Sequence, residues 1–177
     1  VVRDEIRSFV AGAPCFTAIG SIEPRKNYGF LLDAFESLWA GGSDARLLIV
    51  GRRTTQCVEL LERMEHHAEM GKRLLAVFDG TDEEIAFAYT NSRALLFPSL
   101  AEGFGLPLVE ARARGCLVIA SDLPAFADKL RFRRLDRFLH ARCLHRIGRA
   151  FFVAHVFQHA HVRKQRIALE HHRHVAP

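Results

Sequence analysis

The sequence lacks any run of about 18 apolar residues, the length that a membrane-spanning helix needs. Its first segment, VVRDEIRSFV, also lacks the basic and then apolar layout of a secretion signal, so we expect a cytoplasmic chain. Disorder is excluded too, because 49% of the 177 residues are apolar, which suits one globular domain with a core. Methionine is missing from the first position, as it would be in a piece of a longer protein.

Cysteine is scarce and irregularly placed. The four cysteines, none of them in a Cys-x-x-Cys pair, are Cys15, Cys57, Cys116 and Cys143. Because this spacing suits neither a zinc site nor a disulfide framework, we predict reduced, buried thiols.

Charge is divided unevenly along the chain. Residues 1–128 carry 13 Lys and Arg against 18 Asp and Glu, a net charge of −5, whereas residues 129–177 carry 12 against 2, a net charge of +10. Eight of the ten histidines also follow residue 128. We therefore predict a folded domain over 1–128 and a basic tail rich in His and Arg, helical or disordered, over 129–177.

The acidic part alternates short apolar runs with segments of helical period. Runs rich in β-branched residues predict buried strands at 15–20, 46–51, 73–78, 94–98 and 117–121. Helices are predicted after the N-cap Asn27 as far as Gly41, at 58–73, at 82–92, and from Pro107 to about Arg114. The apolar face of the first of these helices comprises Phe30, Leu31, Ala34, Phe35 and Leu38. Repeated β-α steps predict an α/β fold with a doubly wound, Rossmann-like parallel sheet.

This architecture predicts where a ligand binds, because open α/β sheets bind ligands outside the carboxyl ends of their strands. The loops expected to converge there are 21–27, 51–53, 79–82 and 99–107. Arg52 and Arg53 lie in one of them, and we interpret both as surface charges. His66 and His67 are expected on an exposed, polar helix face.

The loop AEGFGLPLVE at 101–110 combines flexible backbone with two carboxylates. Gly103 and Gly105 allow positive φ and close approach of a ligand to the main chain. Pro107 suits the first turn of a helix whose amino end would accept an anion such as a diphosphate. Arg25 and Lys26 would neutralise that anion from the neighbouring loop. The glutamates that frame this loop, Glu102 and Glu110, offer acceptors for sugar and ribose hydroxyls.

Two segments in this order resemble a known family. EGFGLPLVEARARGCLVIASDLP, whose two glutamates are seven residues apart in the family, and GSIEPRKNYGFLLDAF are similar to glycosyltransferase family 4 enzymes of GT-B fold. The resemblance covers roughly residues 14–126 and implies the carboxyl-terminal, donor-binding domain. It implies a retaining hexosyltransferase that uses a nucleotide-diphosphate sugar, with a GDP- or UDP-hexose as donor and a glycan or lipid-linked acceptor. It implies no metal ion and no cofactor.

The same resemblance assigns roles to individual residues. Glu102, our candidate catalytic residue, matches the glutamate that contacts the donor hexose, Glu110 matches the ribose-binding glutamate, and Lys26 matches the diphosphate lysine. Arg25 is a further donor-binding candidate. The loop whose backbone faces the donor comprises Gly103, Phe104, Gly105 and Leu106; for the Phe104 side chain, core packing is the alternative.

The sequence departs from the family pattern in three places. Ser21 stands where many members have an arginine, the amino-terminal acceptor domain is missing, and the pattern is lost after residue 126. We therefore expect the isolated chain to be inactive without an acceptor domain. The alternative is a non-catalytic nucleotide-sugar-binding module, or a degenerate product whose basic tail binds membranes or nucleic acid.

The tail supports three interpretations. Phe132, Leu135, Phe138, Leu139 and Leu144 among arginines are typical of a basic amphipathic helix, which predicts peripheral contact with the inner membrane face or binding to nucleic acid without sequence specificity. His155 and His159 have the spacing of helical metal ligands. The account that we favour is a translated reading-frame shift, because 129–177 contains no Ser, Thr, Asn, Tyr, Trp or Met.

Overall fold

The structure, a computed structural model, describes residues 1–121, Leu123 and a short strand at Val162–Arg163. The strands are β1 (Cys15–Ile19), β2 (Arg46–Val50), β3 (Leu74–Val77), β4 (Ala94–Phe97), β5 (Val118–Ser121) and β6 (Val162–Arg163). The helices are α1 (Asp4–Gly12), α2 (Tyr28–Ala40), α3 (Val58–Glu65), α4 (Asp82–Asn91) and α5 (Leu106–Ala113), with a 3₁₀ turn at Pro24–Lys26. The strands predicted from the sequence are confirmed as β1 to β5.

The strands form one sheet in the order β3-β2-β1-β4-β5-β6. Strands β1 to β5 are parallel, and β6 pairs antiparallel with β5. The chain therefore begins in the middle of the sheet, winds outward to β3, and then returns to add β4 on the other side of β1. This is the predicted doubly wound fold, and it places a crevice between the carboxyl ends of β1 and β4.

The sheet is buried on both faces, which explains why its strands were visible as continuous apolar runs. Leu47 and Ile49 of β2 pack with α2 and α3, whereas Leu48 and Val50 pack with α1, α4 and α5. All four side chains are at most 2% exposed. Burial of each such side chain contributes about 1.5–3 kcal/mol, so the central strands hold the two helix layers together.

Helix α2 follows its prediction except at its start. Leu31, Ala34, Phe35 and Leu38 are buried as expected. Asn27 occupies the N-cap position, but its side chain makes no capping hydrogen bond, because its backbone has left-handed geometry with φ 59°. Its N–H instead donates to the Pro24 carbonyl at 3.1 Å and closes the 3₁₀ turn. Asn27 is therefore a turn residue, a role that asparagine tolerates well.

The prediction of one helix over 58–73 was wrong at its second half. Helix α3 ends at Glu65, and Gly71, with φ 76°, turns the chain towards β3. His66 is exposed as expected, but His67 is half-buried: its ring lies 5.6 Å from the Trp39 ring, and its Nε2 lies 2.9 Å from Glu36. His67 thus packs against α2 and does not lie on a polar helix face.

The cysteine prediction is confirmed for two residues. Cys15 and Cys116 are buried free thiols, and burial raises the pKa of Cys15 to about 12 and that of Cys116 to about 11. Cys57 is free but only partly buried. Cys143 lies outside the described residues.

A buried carboxylate fastens α1 to α4. Glu84 is 1% exposed and accepts from Arg3 Nε at 2.7 Å and Arg3 Nη2 at 2.8 Å. It also accepts from the Thr81 N–H at 3.0 Å, completing a capping box at the start of α4. The Arg3 hydrogen bonds outweigh the opposing effect of burial and hold the pKa of Glu84 at about 2, below its usual 4.5.

We expect this carboxylate to make stability depend on pH. Because its folded pKa lies below its unfolded value, its contribution is complete above about pH 5 and is lost as the pH falls towards about 2, a loss of about 2 kcal/mol after allowance for the partly exposed arginine. Glu84→Gln keeps a capping side chain but removes the charge. Urea unfolding across this pH range should therefore show a flatter profile in Glu84→Gln than in the control Glu62→Gln, on the exposed side of α3; identical profiles would contradict the assignment.

Of the tail, the structure describes Val162–Arg163, which form a strand and not the predicted helix or disordered segment. The other predictions for the tail lie outside the described residues. These are the amphipathic segment, the histidine pair at 155 and 159, and the reading-frame shift; the boundary at residue 128 also stays a prediction. In the part of the chain that the structure describes, no helix is both long enough and apolar enough to cross a membrane.

Candidate functional site

The crevice is built by the loops that follow β1 and β4. The Leu100 N–H donates to the Arg25 carbonyl at 2.7 Å, and Arg25 Nη1 donates to the Ala101 carbonyl at 3.4 Å. On the other side, the Ile22 N–H donates to the Arg52 carbonyl at 2.9 Å and joins the loops after β1 and β2. Three of the four predicted loops therefore meet at this edge.

The fourth loop, at 79–82, is bound elsewhere. Its Asp79 lies 3.0 Å from Arg3 of the α1 amino-terminal segment, and its Thr81 caps α4. Because β2 lies between β3 and β1 in the sheet, this loop, which follows β3, lies away from the crevice between β1 and β4. The expected convergence of all four loops was wrong for this member.

Lys26 and Glu102, predicted separately from two distant segments, contact each other in the crevice. Lys26 Nζ forms an ion pair with Glu102 Oε1. The lysine side chain is 7% exposed and the glutamate side chain 6%. The 3₁₀ turn at Pro24–Lys26 directs the ammonium inward, where it lies 4.7 Å from the centre of the Phe97 ring. A buried cation and a buried carboxylate thus stand side by side at the end of β4.

Glu102 has two further partners. Ser99 Oγ donates to its Oε1 at 2.9 Å, and Arg25 Nη1 lies 2.8 Å from its Oε2. Burial opposes ionisation of this carboxyl, but the hydrogen bonds from Lys26 and Ser99 outweigh it and hold its pKa below the usual value. Glu102 is therefore a charged acceptor at neutral pH.

Arg25 is held from its other side by an acidic residue that the sequence reasoning did not single out. Its Nε donates to Glu23 Oε2 at 2.7 Å, and Ser21 Oγ donates to Glu23 Oε1. The Ser21 hydrogen bond and the neighbouring guanidinium lower the pKa of Glu23. The closeness of the acidic Glu23 to the basic Arg25 and Lys26 in the sequence is the signal that would have indicated such a network. Ser21, which replaces the arginine of many family members, is part of it.

The glycine-containing loop leads directly into α5. Gly105 is its N-cap with φ 73°, as predicted for a left-handed position, and Pro107 lies in its first turn. Gly103 is not among the residues with positive φ, so the loop uses at Gly105 the freedom that both glycines allow; a Cβ at Gly103 would meet nothing within 4 Å. Phe104 and Leu106 are 58% and 59% exposed, so Phe104 does not pack in the core.

Glu110 lies on α5, on the helix that the glycine-containing loop begins. Its Oε2 accepts from the Tyr89 hydroxyl of α4 at 3.1 Å, and the carboxylate is half-buried. Burial and the adjacent Glu110 charge raise the pKa of Tyr89, so the phenol remains a donor. Tyr89, which the sequence reasoning missed, orients one of the two carboxylate oxygens.

The arginines after β2 are consistent with surface charges. Arg53 pairs with Glu65 of α3 and covers the Phe78 ring at 4.2 Å, and its side chain is 55% exposed. Arg52 is exposed, and its carbonyl receives the Ile22 hydrogen bond described above.

Fold and crevice together define a doubly wound α/β domain with a charged site at the reversal of strand order. The sequence pattern of the family "Glycosyl transferases group 1" matches residues 4–131. The chain therefore belongs to this family, and the resemblance stated from the motifs is confirmed.

Two proteins similar to this chain are named as mannosyltransferases. The chain is 43% identical over 119 residues to the serotype-specific mannosyltransferase WbdA of Escherichia coli, across 67% of this chain and 15% of WbdA. It is 32% identical over 116 residues to the O-antigen chain mannosyltransferase RfbU of Salmonella typhimurium, across 65% of this chain and 31% of RfbU. The chain thus spans much less than two thirds of these relatives.

A solved structure shares the fold. It is the C-terminal domain of a glycosyl transferase group 1 family protein, LpcC, from Francisella tularensis. The TM-score is 0.56 at 23% identity, and the match covers 67% of this chain and 63% of that one. The predicted architecture, a doubly wound parallel sheet, agrees with this likeness.

Proposed function

We propose that this chain is the donor-binding part of a retaining glycosyltransferase that transfers a hexose from a nucleotide-diphosphate sugar to a glycan or lipid-linked acceptor. The relatives named as mannosyltransferases favour mannose as the hexose. The observation that carries the proposal is the buried Lys26–Glu102 pair at the end of β4, next to the glycine-containing loop that begins α5.

Each part of such a donor has a complementary group in the crevice. The ammonium of Lys26 and the amino end of α5 suit the diphosphate. The acceptor oxygens of Glu102 suit hexose hydroxyls, and those of Glu110 suit the paired hydroxyls of ribose. The backbone of Gly103, Phe104, Gly105 and Leu106 lies between these groups in the chain. No step of this arrangement calls on a metal ion, so we propose metal-independent binding.

Binding requires Lys26 to exchange one anion for another. In the structure it pairs with one carboxylate, and a diphosphate offers more negative charge and more acceptor oxygens. Glu102 keeps Arg25 and Ser99 when Lys26 turns away, so its charge remains paired. Both members of this ion pair can therefore serve the donor, Lys26 at the diphosphate and Glu102 at the sugar.

We expect the chain to bind GDP-mannose or UDP-glucose in the presence of excess EDTA, but to form no glycosyl product by itself, because the acceptor side is built by a separate domain. Calorimetry measures binding, and release of free nucleotide with simple sugar acceptors measures transfer. Lys26→Ala should lose most of the binding, whereas Lys72→Ala, at an exposed turn before β3, should not.

Three results would contradict this proposal: binding that appears only with a divalent ion, equal affinities in the two lysine variants, or product formed by the chain alone. Product formed only after addition of the amino-terminal domain of a relative would support an enzyme over a non-catalytic binding module.

A further inference from the structure

We propose that Glu23 and Arg25 form a positioning pair that holds Glu102 in place for the donor sugar, so that Arg25 acts through Glu102 and does not bind the diphosphate. This inference rests on the proposed function. It revises the role that the sequence suggested for Arg25.

The guanidinium of Arg25 is occupied on two edges. Its Nε donates to Glu23 Oε2 at 2.7 Å, and its Nη1 reaches Glu102 Oε2 at 2.8 Å. The same Nη1 lies 3.4 Å from the Ala101 carbonyl, and the Arg25 carbonyl accepts from the Leu100 N–H. A planar guanidinium bound in this way has a fixed orientation, with its Nη1 directed at the loop after β4.

Glu23 fixes the arginine in turn. Its second oxygen, Oε1, accepts from Ser21 Oγ, so both carboxylate oxygens have partners within the β1 loop. A continuous series of side-chain contacts therefore runs from Ser21 through Glu23 and Arg25 to Glu102. This series links the carboxyl end of β1 with that of β4, the two strands that border the crevice.

The charges explain why Glu102 needs a second cation. In the structure two carboxylates, Glu23 and Glu102, balance two cations, Arg25 and Lys26. When Lys26 turns to a diphosphate, Glu102, whose side chain is 6% exposed, would lose its nearest cation. A buried carboxylate without a cation takes up a proton or reorients. Arg25 prevents this and keeps Glu102 ionised and directed at the hydroxyls of the sugar.

The test compares a donor with its sugar-free product. Calorimetry with GDP-mannose and with GDP, and with UDP-glucose and UDP, separates contacts to the sugar from contacts to the nucleotide. For Arg25→Ala we expect about a tenfold loss of affinity for the sugar nucleotide, the effect of one charge-assisted hydrogen bond, and less than about a threefold loss for the diphosphate. Lys26→Ala should lower the affinity for the sugar nucleotide and the affinity for the diphosphate by similar factors.

Two milder variants guard against misfolding. Like Arg25→Ala, Glu23→Gln should lower the affinity for the sugar nucleotide more than the affinity for the diphosphate. The loss should be smaller than in Arg25→Ala, because a neutral amide still holds the guanidinium, although less firmly than a carboxylate. Arg25→Lys should recover part of the affinity for the sugar nucleotide, since it keeps the charge but loses the fork. An NMR titration of the Glu102 carboxyl adds a readout without ligand: Arg25→Ala should raise its pKa.

The outcomes separate this inference from the proposed function. Equal losses for sugar nucleotide and diphosphate in Arg25→Ala would show that Arg25 binds the diphosphate, and would overturn this inference alone. An unchanged Glu102 pKa in Arg25→Ala would overturn it as well. Failure of the unaltered chain to bind any of the four nucleotides would overturn the proposed function and this inference together.

Discussion

Replacement of Glu110 by alanine is expected to lower the affinity for the nucleoside diphosphate by about 30- to 1,000-fold, or about 2 to 4 kcal/mol. The carboxylate would accept one or two hydrogen bonds from ribose hydroxyls, and hydrogen bonds to a charged acceptor are stronger than those between neutral groups. Because Glu110 lies on α5 and one oxygen is already oriented by Tyr89, it is prepared for this role before ligand binds. Calorimetry with GDP and UDP measures the loss.

Tyr89→Phe is the matched control for this experiment. It removes the hydroxyl that contacts Glu110 at 3.1 Å but keeps the carboxylate and the buried ring. If Glu110 binds ligand, Tyr89→Phe should cost less than about tenfold in affinity, whereas Glu110→Ala should cost the full amount. Equal, small losses in both variants would remove Glu110 from the site and leave it as the partner of a buried tyrosine.

Strands and most helices of this fold were predictable because their chemistry is local. β1 and β2 are buried on both faces, so their apolar runs are continuous and bounded by turn residues. Helix α3 was predicted too long because its polar composition continues beyond Glu65. Its end is decided by the turn at Gly71 and by packing of His67 on Trp39, a contact with another helix that periodicity does not show.

The candidate site was predictable as a set of residues but not as a set of contacts. Loop position and motif located Lys26, Glu102 and Glu110 at the carboxyl edge of the sheet. The pairing of Lys26 with Glu102 joins residues 76 positions apart, and depends on the order in which β1 and β4 lie in the sheet. Tyr89 was missed for the same reason, because folding brings it near Glu110. Glu23 contacts its sequence neighbours Ser21 and Arg25, and it joins the site because folding brings Arg25 to Glu102.

Replacement of Gly51 by alanine is expected to destabilise the domain by about 3 kcal/mol or more. Gly51 follows β2, and a Cβ there would stand 1.8 Å from the Gly20 carbonyl oxygen and 2.7 Å from its carbon. Neither backbone segment is free to retreat. The Gly20 N–H donates to the Val50 carbonyl at 3.0 Å, and the Gly51 N–H donates to the Val77 carbonyl at 2.9 Å. The methyl group can be accommodated only by separating the ends of β1 and β2.

Gly29→Ala is the matched control for Gly51→Ala, because it introduces the same methyl group elsewhere in the domain. Gly29 lies inside α2, where the nearest atom to a new Cβ is a Leu60 methyl at 4.0 Å. Alanine favours the helix over glycine, so this variant should be as stable as the parent or gain up to about 1 kcal/mol. Urea unfolding should give a midpoint below the parent's for Gly51→Ala and a midpoint at or above the parent's for Gly29→Ala. If Gly51→Ala and Gly29→Ala unfold at the same urea concentration, the close approach of Gly51 to Gly20 does not limit the stability of this edge of the sheet.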